Sequence, residues 1–378
     1  MFLIKILWRK EKLSKEENEK MKKNLVMKLS ALAISAVMAF SVIACGTETP
    51  AEAPSQTEPE TVVDNQNGQT TEPETETEGT VLNIAVVKQL DHASLDEIAN
   101  AITAQLDAIA KENNITINYE VYSGQNDQTV LKQICDQAIA DEVDAIIPIA
   151  TLAAQVATVS AEATKTPVVY AAISDPEAAE LTGIDYVTGT SDALNTEFIM
   201  NMIFAQNENV KKVGLLYSLS EKNSETPIAD AKAYLDNKGV EYVVATGNTN
   251  DEVVAAAGTL VGNKVDVIFT PTDNVVMAAE LAIYEDFANA GILHYAGADS
   301  FVRNGAFATC GVNYTDLGTK TADLAYEAIT AGMANLEDYY LMDGGIITVN
   351  TETAAAAKAD YAVFGDMGEL VEVVTSEE

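Results

Sequence analysis

The chain has 378 residues, with 22 Lys and Arg against 58 Asp and Glu, a formal net charge of −36. Such an acidic surface repels nucleic acid, and no basic patch interleaved with aromatics offsets it. Two His, three Cys and no HExxH or CxxC spacing leave little from which to build a metal centre, and no cofactor is expected.

In chain order, residues 1–20 fit no export signal and are set aside as an N-terminal extension or start-site artefact. Residues 21–44 read as a secretory signal. Lys22, Lys23 and Lys28 form the basic region, and Leu29 to Ile43 is an uncharged apolar run too short for a comfortable membrane span. It ends in Val42-Ile43-Ala44-Cys45-Gly46, which resembles the bacterial lipobox, with Cys45 as the acylated new N-terminus; the alternative is an uncleaved anchor helix with an incidental Cys. Residues 45–79, rich in Thr, Glu and Pro, bury too little apolar surface to offset chain entropy and read as a disordered acidic tether. Removing the nine Lys/Arg and four Asp/Glu of residues 1–44 leaves 13 basic and 54 acidic side chains, a net of −41.

From Val81 onward short apolar runs alternate with amphipathic segments. Strands are expected at Val81–Val87, Ile115–Val121, Ala145–Ile149 and Pro167–Ala172, with helices at Leu95–Asn113, Gln128–Asp141 and Ala153–Ala163. After a stretch around Ser174 to Ala193 the pattern restarts. Helices are expected at Asn195–Gln206, Thr226–Asn237, Glu252–Val261 and Val275–Asn289. Strands are expected at Lys212–Tyr217, Glu241–Ala245, Val265–Phe269 and Ile292–Ala296. Continuous apolar strands between helices indicate parallel sheets covered on both faces.

The two series repeat. VLNIAVV matches KKVGLLY, VDAIIPIAT matches VDVIFTPTD, and TPVVYAAISD matches ILHYAGADS, in the same order. The tail, a strand at Ala308–Val312 and a helix at Tyr314–Ala331, has no counterpart in this repeat. The expected organisation is a first lobe at 80–192, a second at 193–297, and return segments at 298–378 that complete the lobes.

In open parallel sheets ligands bind beyond the carboxyl ends of the strands. The polar residues there are Gln89, His92, Ser123 to Asn126, Thr151, Gln155, Ser174 and Asp175. From the second series come Ser218, Glu221, Asn223, Ser224, Thr272, Asp273, Asn274 and Asp299. This set favours a zwitterion. Thr151, at a helix start, suits a carboxylate, while Asp273, Asn274 and Asp299 suit an ammonium. Tyr122, Tyr170 and Tyr217 are candidates for an aromatic side-chain pocket. Thr151 and Asp273 read equally well as helix caps, and Asp175 before Pro176 as a turn residue. Cys135, on an expected helix, and Cys310, in an expected strand, read as buried free thiols. No GxGxxG, Walker loop or GxSxG elbow is present, so no catalytic role is assigned.

From Val81 to about Val349 the chain resembles the substrate-binding lipoproteins of ABC importers, in the family with tryptophan- and tyrosine-binding members from Gram-positive bacteria. The resemblance is carried by KQLDHASLDEI (88–98), SGQNDQTVLKQI (123–134), IATLAAQVA (149–157), VVYAAISDPEAAEL (168–181) and VTGTSD (187–192). KKVGLLYSLSEKNS (211–224), VDVIFTPTDN (265–274) and GVNYTDLG (311–318) continue it. It implies an α/β fold of two Rossmann-like lobes with parallel sheets joined by hinge strands, the type I periplasmic-binding-protein fold. It also implies ligand contacts at Ala150, Thr151, Ala153, Gln155, Tyr217, Ser218, Thr272, Asp273 and Asn274. With the strand ends, the candidate ligand-binding set also takes in Gln89, Gln125, Ser174, Asn223 and Asp299. The chain departs from the family pattern at Leu152, where Pro is frequent, and at Lys88 and Asp299, both expected near the side-chain pocket.

The expected function is therefore an extracytoplasmic, lipid-anchored receptor of a bacterium, Gram-positive by the resemblance. It would be a monomer that closes on a small ligand, an amino acid and an aromatic one, and delivers it to an ABC permease and ATPase. A sugar or nucleoside receptor, a surface adhesin or sensor, and last an enzyme of flavodoxin-like fold are the alternatives.

Overall fold

The structure, a computed structural model, describes residues 79–376. The expected signal, Cys45 and nearly all of the tether lie outside the described residues. Among the described residues, thirteen strands form two sheets. The first contains β1 (Val81–Lys88), β2 (Thr116–Ser123), β3 (Ala145–Ile149), β4 (Val168–Tyr170), β5 (Val187–Ser191) and the short β11 (Tyr340–Leu341). Its order is β11-β5-β4-β3-β1-β2, and each pair is parallel. The second contains β6 (Lys212–Tyr217), β7 (Glu241–Thr246), β8 (Val267–Thr270), β9 (Leu293–Ala296) and β10 (Ala308–Gly311), with β12 (Ile346–Asn350) and β13 (Glu369–Val373). Its order is β13-β12-β10-β9-β8-β6-β7, and only β10 with β12 is antiparallel.

Sequence dictates which strands are central. AIIPI of β3 and VIFT of β8 are buried at every residue, as strands covered by helices on both faces must be. The edge strands β2 and β7 are instead half-buried or exposed at every residue but Ala245. The helices are α1 (Ala93–Asn113), α2 (Gln128–Ala140), α3 (Thr151–Ala161), α4 (Thr196–Gln206), α5 (Glu225–Lys238), α6 (Asn250–Gly262) and α7 (Asn274–Ala290), then α8 (Asp299–Arg303), α9 (Tyr314–Thr330) and α10 (Thr351–Ala357). Their ends carry the expected chemistry. Asp127, Thr249 and Asn313 side chains accept N–H groups at the starts of α2, α6 and α9, while Gly239 and Gly291 close α5 and α7 in the left-handed conformation. Cys135 and Cys310 are buried free thiols, one beside each sheet.

The repeat extends further than the sequence indicated. The orders β2-β1-β3-β4-β5 and β7-β6-β8-β9-β10 are the same, so the tail strand β10, expected to lack a counterpart, has one in β5. VTGTS escaped notice because its Thr, Gly and Ser look like a loop. It is nevertheless fully buried, with the Thr188 hydroxyl donating to the Glu337 carbonyl at 2.7 Å and Thr190 and Thr321 hydroxyls 2.8 Å apart. The helices that follow β5 and β10 are exchanged. Helix α4 packs into the core of the second half, and α9 lies along α1 in the first. Gly318 permits that approach, since a Cβ there would come within 2.7 Å of the Ile98 carbonyl oxygen.

The exchange makes the chain cross between sheets three times, at 192–195, 312–313 and 342–345. The crossings are adjacent. Ser191 and Leu341, which precede the first and third, are in register, and Gly311, which precedes the second, is in register with Ile346, which follows the third.

Candidate functional site

The carboxyl ends of β1, β3 and β4 face those of β8 and β9 across a cavity with room for about 20 Å³, the space of about one water molecule. From the first half it is lined by Ala150 and Thr151 after β3, Ala172 and Ser174 after β4, and Asp192 after β5. His92, Ser94 and Leu95 at the start of α1 complete this side. The second half contributes Asn223, the run Thr272 to Asn274, Met277, Ala298 and Phe301; Tyr314, the first residue of α9, closes the ring. Leu95, Met277, Ala298, Phe301 and Tyr314 belong to one apolar cluster that spans both halves.

The halves are in contact, and polar groups of the strand ends bond to one another. Glu221 is the centre: Gln89 Nε2 donates to its Oε1 at 2.8 Å and Asn274 Nδ2 to its Oε2 at 2.7 Å. Asn274 Oδ1 then lies 3.0 Å from His92 Nε2. Ser174 and Thr272 hydroxyls are 2.9 Å apart, Thr226 Oγ1 donates to Asp175 at 2.8 Å, and Ser94 bonds Ser300. Burial, and secondly the charge of Asp273, pushes the Glu221 carboxyl up to about 7. Burial pushes His92 down to about 4, so its imidazole is neutral. Asp192 is 5% exposed and bonded by two hydroxyls, Ser174 at 2.9 Å and Tyr314 at 3.1 Å; burial raises its carboxyl above the usual range.

Of the residues singled out in the sequence, His92, Ala150, Thr151, Ser174, Asn223, Thr272, Asp273 and Asn274 line the cavity. Gln89 lies beside it as the tie to Glu221. Its Oε1 also accepts the Leu152 N–H at 3.0 Å, which a Pro at that position would not offer. Ala153 is buried behind the helix start, and Gln155 donates to the Ala179 carbonyl at 3.0 Å. Gln125 is exposed in a left-handed turn. Ser218 bonds Ser220 and Asn248 on the outer side of β6. Tyr217 packs under Lys232. Asp299 pairs with Arg303 at 3.0 Å and faces a different cavity, beside Glu97 and Thr315. Lys88 bonds Asp91 and Asp96 and does not line the cavity.

Two expectations need correction. Thr151 is not the cap of α3: the cap position is Ala150, held at φ 75° and ψ 164°, a conformation that favours glycine. The aromatic lining is Phe301 and Tyr314, not Tyr122, Tyr170 or Tyr217. Tyr170 points into the core of the first half, with its hydroxyl 3.3 Å from the Asp338 carbonyl, and Tyr122 turns out toward Glu120. The cap reading of Asp273 holds, since its carboxylate accepts Val276 N–H at 3.0 Å. The same group accepts Ser218 N–H and the Ser224 hydroxyl, each at 2.7 Å, so it is committed to its own half. The sequence reading missed Asp192, Ser94, Met277, Phe301 and Tyr314 as lining residues; Asp192 ends the quoted VTGTSD motif, which was the available signal.

A family model described as ABC transporter substrate binding protein matches residues 83–356. A protein named "Tyrosine-binding protein" from Clostridioides difficile (strain R20291) is 30% identical over 281 residues, 72% of this chain and 80% of that protein. Among solved structures, an ABC domain in complex with L-Trp from Streptococcus pneumonia is 27% identical with TM-score 0.69, covering 77% of this chain and 100% of its own. The ligand-free, open structure of a substrate binding protein with adhesive properties from Clostridium difficile is 26% identical with TM-score 0.59, covering 78% and 100%. At nearly equal identity the chain resembles the L-Trp complex more than the open structure, in keeping with halves that touch across the cavity.

Proposed function

From the premise that the chain belongs to the ABC transporter substrate binding protein family, we propose that its ligand is an amino acid, and an aromatic one. Membership makes it an extracytoplasmic binder of a small molecule rather than an enzyme, working with ABC transporter components, with the type I periplasmic-binding-protein fold. No helix among the described residues is long and apolar enough to cross a membrane.

The observation that carries the ligand reading is the composition of the cavity wall. It combines apolar and aromatic residues of one cluster (Leu95, Met277, Phe301) with buried carboxylate, hydroxyl and amide groups. An aromatic side chain suits the first and a charged main-chain end the second. The tyrosine and L-Trp named for two relatives support the same class. About 20 Å³ admits no amino acid, so the ligand enters while the halves are apart, and closure forms the pocket around it. Cys45 as lipid anchor, with residues 45–79 as tether to a Gram-positive membrane, and a monomeric state complete the proposal; dual acylation suffices for stable anchoring.

Thermal shift with a panel of amino acids and sugars is the test, on the secreted chain. Stabilisation is expected from tyrosine, tryptophan or phenylalanine; stabilisation by a sugar alone would sink the reading. Trp8, the sole Trp, precedes Cys45, so bound tryptophan would fluoresce without background. Recovery of the full chain from membranes, and of Cys45→Ser from the medium or unanchored fraction, checks the anchor.

A further inference from the structure

The acid that faces the ligand is not in either copy of the repeated strand end. We propose that Asp192, with Asn223 Oδ1 and His92 Nδ1, is the subsite for the ligand's ammonium group. This deepens the amino-acid reading and rests on it only for the ligand's other end.

Three observations converge on one small cavity. Asp192 is buried at its wall, and the two groups that bond it, Ser174 and Tyr314, are neutral hydroxyls. No Lys or Arg lines the cavity and His92 there is neutral, so the carboxylate has no countercharge. A buried carboxylate without one is costly, and a ligand cation removes that cost. Asn223, 6% exposed, donates its amide to the Thr272 carbonyl at 2.5 Å and leaves Oδ1 buried without a partner. The third acceptor follows from the Glu221 network. Asn274 gives its amide hydrogens to Glu221, so its oxygen faces His92 Nε2, which must carry the proton. Neutral His92 therefore keeps a lone pair on Nδ1, which is buried and unpartnered. The wall thus offers acceptors in excess, and an ammonium carries three donors. Asp273 is excluded from this role because Ser218, Ser224 and Val276 already occupy its oxygens.

Calorimetric titration of the wild-type chain and Asp192→Asn with three compounds tests this: L-tyrosine, its des-amino acid 3-(4-hydroxyphenyl)propionate, and tyramine, which keeps the ammonium and lacks the carboxylate. Asn preserves the size of Asp192 and its two hydroxyl neighbours, and the unliganded melting temperature checks that the variant folds. The wild type should prefer L-tyrosine to the des-amino acid. Asp192→Asn should weaken L-tyrosine by about 30-fold or more and leave the des-amino acid within about 3-fold. Asn223→Ala should show the same selectivity with a smaller loss, about 3- to 10-fold. Tyramine bound through Asp192 while L-tyrosine fails would overturn the amino-acid reading and keep the subsite. Equal losses for amino and des-amino compounds, no loss for either, or no binding of any ammonium compound would overturn the subsite.

Discussion

The two copies of the repeated strand end, Ile149 to Thr151 and Thr270 to Asn274, perform opposite tasks. The first is bare. Ala150 holds a backbone conformation disfavoured for any side chain, and the helix start behind it is satisfied from outside, by Gln89 on the Leu152 N–H. The second is saturated, with Asp273 tying together β6, the turn after it and α7 through three hydrogen bonds. The same sequence pattern therefore produced a surface that can receive a ligand and a knot that holds its own half in shape. A polar residue at a strand end is a ligand contact only if its own fold has not already spent its bonding capacity.

That contrast can be broken from the saturated side first. Asp273→Ala orphans the Ser218 N–H, the Ser224 hydroxyl and the start of α7, and should cost on the order of 3 kcal/mol of stability, read by denaturant unfolding. A loss below about 1 kcal/mol would show that the knot is not structural. The next test is pH. Glu221 is raised from 4.5 to about 7, so the folded chain keeps a proton that the unfolded chain releases. Its contribution to stability is full below about 4.5 and is lost as pH rises through about 7, a span on the order of 3 kcal/mol. Neutral His92, lowered to about 4, works in the opposite sense, losing stability as pH falls from 6.5. The wild type minus Glu221→Gln difference isolates the carboxyl; an unchanged slope in the variant would refute the assignment. The smallest effect belongs to the bare copy. Ala150→Gly relieves the left-handed strain and should raise stability by about 1 kcal/mol in thermal unfolding, whereas Asp273→Gly can only lower it.

The alternation of apolar runs and amphipathic helices placed the strands β1 to β4 and β6 to β10 and the helices α1 to α7 and α9 within a few residues, because continuous apolar runs and helical periodicity mark them and several carry a legible cap or stop. Strand β5 was not legible: its core is built from Thr hydroxyls that satisfy each other and backbone carbonyls, which a hydropathy reading scores as loop. Strands β12 and β13 and the short helices α8 and α10 carry too few residues, or lie too far along the tail, for periodicity to declare them. The cavity lining shows the same limit. Thr151, Asn223 and Asn274 stand at strand ends and could be read off, while Asp192 follows the unrecognised β5 and Tyr314 follows a crossing. Gln125 and Asp299 stand at strand ends too, yet turn geometry and an ion pair with Arg303 direct them elsewhere. Which acid faces the ligand depends on who else bonds it, and that is a tertiary fact.

The three adjacent crossings have a mechanical consequence. One connection would let the halves swivel and slide, and two would still allow twist about the line joining them. Three side by side, registered through Ser191 with Leu341 and Gly311 with Ile346, oppose sliding and leave one soft rotation, about an axis across the band. Asp192 sits at the end of that band, where rotation displaces atoms least. An ammonium group bound at Asp192, as proposed above, would keep its position while the opposite wall swings, and would be the pivot against which the rest of the ligand is gripped.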